Sequence, residues 1–122
     1  MRSYYHIMPP ELQTIIDRNP WLSEISRYDV VYLSGPMSNL PNLNRDAFHQ
    51  WEHIIKIQHA TVLSPAHADQ KKIYSQLIRD GLNMVIHANV TIMLLNWRDS
   101  HGANVEWTIT TLIGNRVYYE VE

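Results

Sequence analysis

The segment from residue 70 to residue 95 constrains the fold most. Over Gln70 to His87, the residues Tyr74, Leu77, Ile78, Gly81, Leu82 and Val85 follow the i, i+3, i+4, i+7, i+8, i+11 template of an amphipathic helix without a gap. Directly after it comes Asn89 to Leu95, NVTIMLL, an almost unbroken apolar run. A strand with one wet face would alternate polar and apolar residues. A continuous run demands cover on both faces, which is the situation of a central strand in a parallel sheet. A helix feeding such a strand belongs to a layered α/β fold.

The flanking segments extend the alternation. Asp29 to Leu33 (DVVYL) is a short β-branched and aromatic run that stops at Ser34-Gly35-Pro36. Phe48, Trp51 and Ile55 recur at helical spacing between about 44 and 58, with Asn44 in the place of a helix cap and Asp46 in the first turn. Ala60 to Leu63 is a second strand, ended by Ser64-Pro65, and Val117 to Val121 is a last one. Residues 102–113 are ambiguous. Val105, Trp107 and Ile109 alternate as in a hairpin, yet Ser100 can cap a helix and Gly114 can end one. The preceding β-α-β-α-β order favours a crossover helix, because parallel strands need one. Ahead of all this, Leu12, Ile15, Ile16, Leu22 and Ile25 form an accessory helical arm, opened by Pro9-Pro10 and broken at Pro20. The expectation is an arm over residues 1–28. Residues 29–122 are expected to form one compact parallel sheet of four to five strands with flanking helices.

Composition narrows the function. The 122 residues carry a formal charge of −2 and no Lys or Arg run beyond Lys71-Lys72, so a nucleic-acid partner is not expected. Without cysteine, disulfides, zinc-thiolate sites and thiol nucleophiles are ruled out. Met1 to Pro10 lacks the apolar run of a signal peptide, and Val90 to Leu95 is too short to span a membrane, so a cytoplasmic protein with no membrane partner is expected. A small-molecule ligand fits best. Of seven histidines, His49 and His53 are one i, i+4 pair, but no HExxH or HxH accompanies them; all seven read as surface or boundary residues, and neither metal nor cofactor is expected.

In parallel sheets ligands bind outside the carboxyl ends of the strands. Three loops lie there: 34–44, 64–69 and 96–102. In the first, Gly35 lets backbone approach a ligand, hydroxyls from Ser34 and Ser38 flank Pro36 and Met37, and Asn44-Arg45 stands at a helix N-terminus that favours an anion. The bland reading is a turn plus an ordinary cap. In the third, Asp99-Ser100 precede Gly102 and Glu106, which are four apart and share one side of a helix. A carboxylate in its first turns points back toward the loop and any ligand; alternatively it merely complements the helix dipole. Asp80, more than a quarter turn off its helix's apolar stripe, is either solvated or edges a cleft. No Walker, GxGxxG or GxSxG pattern is present.

In order, Tyr32 to Met37 (YLSGPM), Leu43 to Phe48 (LNRDAF), Leu63 to Ala66 (LSPA), Arg79-Asp80 and Leu94 to Glu106 (LLNWRDSHGANVE) resemble the DUF4406 family. These are small proteins, frequent in phages and prophages, grouped as nucleoside 2-deoxyribosyltransferase-like. More distantly the pattern is similar to the nucleoside 2-deoxyribosyltransferases and the 2′-deoxynucleoside 5′-monophosphate N-hydrolases. The resemblance implies a flavodoxin-like sheet and N-glycosidic bond cleavage, by hydrolysis or transfer. It implies Glu106 as the nucleophile at C1′, Asp80 as the residue handling the base or its proton, and Tyr32 as the residue orienting the glutamate. It also implies that residues 34–38 and Asn44-Arg45 face the sugar and any 5′-phosphate, with Asp99 matching an acidic residue of the transferases and Asn89 standing where the family has an Asp. The ligand would be a nucleoside or nucleotide and the assembly a homo-oligomer, with Leu12, Ile15, Ile16, Trp21 and Leu22 of the arm as a partner face. A non-catalytic nucleotide-binding protein on the same fold, a phage sponge or regulator, is the alternative.

Overall fold

The computed structural model describes residues 8–69 and 71–122. The stretch read against a signal peptide falls largely in residues 1–7 and lies outside them, as does Gln70. In chain order the elements are α1 (Pro10–Arg18), β1 (Val30–Ser34), α2 (Arg45–Ile57), β2 (Thr61–Leu63), α3 (Tyr74–His87), β3 (Val90–Met93), α4 (His101–Leu112) and β4 (Arg116–Tyr119), with short 3-10 turns between several of them. The four strands pair in parallel in the order β2-β1-β3-β4. With helices on both faces, this is the flavodoxin-like arrangement.

The period-2 alternation of β1 divides the core. Val31 and Leu33 point to one face, where they join Phe48, Trp51, Ile54 and Ile55 of α2 and Val90 and Ile92 of β3. Tyr32 and Ser34 point to the other face, where Tyr32 meets Val85 of α3 and Ile109 of α4. β3 is buried along its whole length, as its apolar run requires. Its one hydroxyl is satisfied: Thr91 pairs with Thr110 of α4 at 2.6 Å, both fully buried.

That pairing bears on the ambiguous segment. Residues 101–112 are helical, and the alternation of Val105, Trp107 and Ile109 does not carry a strand. The threonines, weak helix formers by themselves, are compensated by tertiary contacts and by hydroxyl bonds back to the helix, as from Thr108 to the Asn104 carbonyl. Gly114, at φ +82°, turns the chain into β4. The helix expected from Gln70 begins instead at Tyr74, after extended backbone at Ile73.

The arm packs onto the α2 side of the sheet. Leu12 and Leu22 are buried in the same cluster as Val31, Leu33 and Trp51, with Ile15, Ile16 and Trp21 packed against it. Trp21 stacks on Trp51 and on Tyr118, with centroids 5.7 and 4.9 Å away. The fully buried Asn19 accepts a 2.7 Å hydrogen bond from the Val121 amide. Of the apolar residues expected as a partner face, Leu12 and Leu22 are thus used inside the chain, while Ile15, Ile16 and Trp21 are partly buried there. Among the described residues no helix is long and apolar enough to cross a membrane.

At the opposite end of the sheet from loops 34–44, 64–69 and 96–102, Asp29 ties three elements. It accepts from the Ser26 amide, from Asn89 and from Arg116, the last at 2.7 Å. Asn89 also accepts from the Val30 amide at 2.7 Å. Asn89 is a structural joint between β1 and β3.

Candidate active site

The carboxyl ends of β1, β2 and β3 open into a cavity of about 290 Å³, just under the roughly 300–1,000 Å³ usual for small-molecule sites. All three loops singled out from the sequence contribute. Gly35, Pro36, Met37, Ser38 and Asn39 come from the first, Pro65 and Ala68 from the second, and Asp99, Ser100 and Gly102 from the third and the start of α4. α3 supplies a wall with Leu77, Ile78, Asp80, Gly81 and Met84.

Glu106 also lines this cavity, although only 9% of it is exposed. The Tyr32 hydroxyl donates to its Oε2 at 2.8 Å and the Ser34 hydroxyl donates to its Oε1 at 2.7 Å. Both donors sit on β1 two residues apart, so the pleat aims them at the same face, and α4 lowers its carboxylate between them. Burial pushes the Glu106 carboxyl above the ordinary glutamate range, while the Ser34 and Tyr32 hydrogen bonds pull it back down. The Tyr32 phenol is driven well above its usual value, first by burial and then by the adjacent Glu106 charge. It therefore remains a neutral donor at any physiological pH. The arrangement is a desolvated carboxylate with each oxygen fixed and one side open to a cavity.

Gly81 makes the arrangement possible. A methyl group there would run into Glu106 Oε2 and stand 3.3 Å from the Tyr32 oxygen. In the sequence Gly81 belongs to the apolar stripe of its helix. A glycine inside a strong helix, costing about 1 kcal/mol against alanine, was the signal that something approaches closely there. Leu77, Ile78 and Met84 had no such signal, since an apolar stripe reads the same over a core as over a cavity.

At the amino end of α4, the Ser100 hydroxyl accepts from the Ala103 amide at 3.2 Å. Asn104 donates to the carbonyls of Arg98 and Ser100, holding the Asp99-Ser100 turn. Asp80 reaches the cavity but is also ion-paired, its Oδ2 lying 2.8 Å from Lys72 Nζ. Ser34 is fully buried and serves the site through Glu106.

Asn44 and Arg45 do not line the cavity. Asn44 is left-handed at φ 59° and gives α2 no side-chain cap, which requires extended backbone; its amide group donates instead to the Pro36 carbonyl at 2.9 Å. Arg45 Nε donates to the Ala66 carbonyl at 3.3 Å. The two residues lace the first loop together and to the second. Among the described residues the cavity lining contains no Lys or Arg; Asp80, Asp99 and Glu106 face a single His101.

The profile of a family described as a domain of unknown function, DUF4406, matches residues 29–119. The match takes in the whole sheet and every residue of the Glu106 cavity. No curated protein matches the chain.

Proposed function

The chain belongs to the DUF4406 family, and from the Glu106 cavity we propose that its member here cleaves the N-glycosidic bond of a nucleoside, by hydrolysis or by transfer to another base. The observation that carries this reading is a buried carboxylate held by two hydroxyl donors in the lining of a cavity of small-molecule size. N-glycosidic cleavage builds positive charge at C1′, and an adjacent carboxylate stabilises or traps it. The C1′–N bond breaks with its electron pair going to the base, and a Glu106 oxygen bonds to C1′. Water or an acceptor base then attacks C1′ and releases the carboxylate. Tyr32 and Ser34 position Glu106 and temper its basicity. Asp80, reaching the same cavity from α3, handles the proton: the leaving base takes one up, and the attacking water or acceptor base gives one back. The lack of Lys or Arg among the described lining residues favours an uncharged nucleoside over a 5′-monophosphate, to which the α4 amino terminus and His101 would be the complementary groups.

The test is incubation of the purified chain with nucleosides and their monophosphates, alone and with a second base, followed by chromatography for free base and exchanged nucleoside. Release or exchange that disappears in Glu106→Gln supports the proposal. Tight binding without any turnover would move the assignment to a nucleotide-binding protein.

A further inference from the structure

On the opposite face of the sheet from Glu106, α2 and the turn after β2 bring together two imidazoles and a carboxylate. His49 and Glu52 are three apart on α2 and so share one side of the helix. His67 ends the 3-10 turn Pro65–His67. One ligand atom from each lies within 4.8 Å of the others. The two imidazole rings stand 5.5 Å apart at an interplanar angle of 29°.

Glu52 is the unusual member. It is 6% exposed on a helix whose neighbouring histidines are open to solvent. Its Oε1 lies 2.7 Å from His67 Nε2, while its Oε2 is buried with no hydrogen-bond partner among the described residues. Leaving a buried carboxylate oxygen unpaired is costly, and the His67 ring reaches only the other oxygen. A cation held jointly by the carboxylate and both imidazoles would balance the buried charge of Glu52.

We propose that His49, Glu52 and His67 form a binding site for a divalent transition-metal ion of the zinc class, with water completing the coordination. Two imidazole nitrogens and one carboxylate oxygen suit zinc, cobalt or nickel; magnesium and calcium prefer oxygen ligands throughout. No sequence spacing marks this set: His49 and His53 stand one turn apart on α2, whereas the third ligand, His67, comes from another element. The neighbours of His67, Pro65 and Ala68, line the Glu106 cavity. A bound ion would therefore fasten that wall to α2. The site stands independently of the glycosidase reading.

The experiment is calorimetric titration of the full chain, free of any purification tag and stripped with a chelator, with zinc chloride and separately with magnesium chloride. One zinc ion per chain is expected, with no saturable magnesium binding. Cobalt(II) should give visible absorption bands of a site containing nitrogen ligands. His49→Ala and His67→Ala should each weaken zinc by at least the roughly 10–100-fold that loss of even an outer-shell partner costs. Both side chains are exposed, so the fold should survive, and His53→Ala should bind like the wild type. No saturable zinc binding, binding that survives both substitutions, or an equal loss in His53→Ala would overturn the assignment.

Discussion

The Tyr32 hydroxyl donates a 2.8 Å hydrogen bond to Glu106 Oε2 across 74 residues of sequence. It joins the middle of β1 to the second turn of α4, beneath the cavity. The bond favours the ionised carboxylate, so removing it raises the Glu106 pKa further. Tyr32→Phe should move the acid limb of any pH–rate profile to higher pH. It should also destabilise the fold by about 1.5–3 kcal/mol, the range for hydrogen bonds to charged groups. Denaturant melts and rates across pH check both; an unshifted acid limb would break the link between Tyr32 and the reacting carboxylate.

Glu106→Gln keeps the shape and removes the charge. Turnover should fall at least about a hundredfold, a common size for one electrostatic contribution to a transition state, while nucleoside affinity changes far less.

The same substitution makes a stability prediction of the opposite sign. Burial raises the folded-state pKa of Glu106, so the folded state holds its proton more tightly than the unfolded chain. The wild type then loses stability as pH rises through the folded pKa and regains it as pH falls toward the unfolded value. Glu106→Gln should melt higher than the wild type at neutral pH, and the gap should close on acidification. A gap that widens in acid would mean that the hydroxyl bonds outweigh burial.

Gly81 and Gly102 both face the cavity and should respond oppositely to alanine. At Gly81 the added methyl meets Glu106 Oε2, and overpacking of this kind costs about 1–3 kcal/mol; activity should be lost with it. At Gly102 the nearest atom is Ile78 Cδ1 at 3.4 Å, an ordinary contact. Alanine there should be neutral or stabilising by up to about 1 kcal/mol through helix propensity. Thermal melts of the two variants decide this, and equal losses would remove the special role assigned to Gly81.

Thr91 and Thr110 offer a double-mutant cycle. Thr110→Val leaves the buried Thr91 hydroxyl without its 2.6 Å partner and should cost about 1–3 kcal/mol. Replacing both with valine removes the unsatisfied group and should recover most of that loss. If the two effects simply add, the pair does not hold α4 on the sheet as described.

The residues themselves made much of this fold legible. The unbroken run at 89–95 required a strand covered on both faces, the helix before it required a layer, and the loops at the strand ends were where the cavity formed. Glu106 could be placed on a helix facing back toward its loop by local geometry alone. Periodicity records which side of an element is buried; it does not record against what. The hydroxyls that hold Glu106, the diversion of Asn44 and Arg45 to Pro36 and Ala66, and the pairing of Thr91 with Thr110 join elements distant in sequence. The same limit hid the arm's use inside its own core and the meeting of His67 with His49 and Glu52. Local pattern set the elements and their order, because helix and strand periods are properties of neighbouring residues. The tertiary structure alone chose the polar partners, because a hydrogen bond between distant elements leaves no period in either.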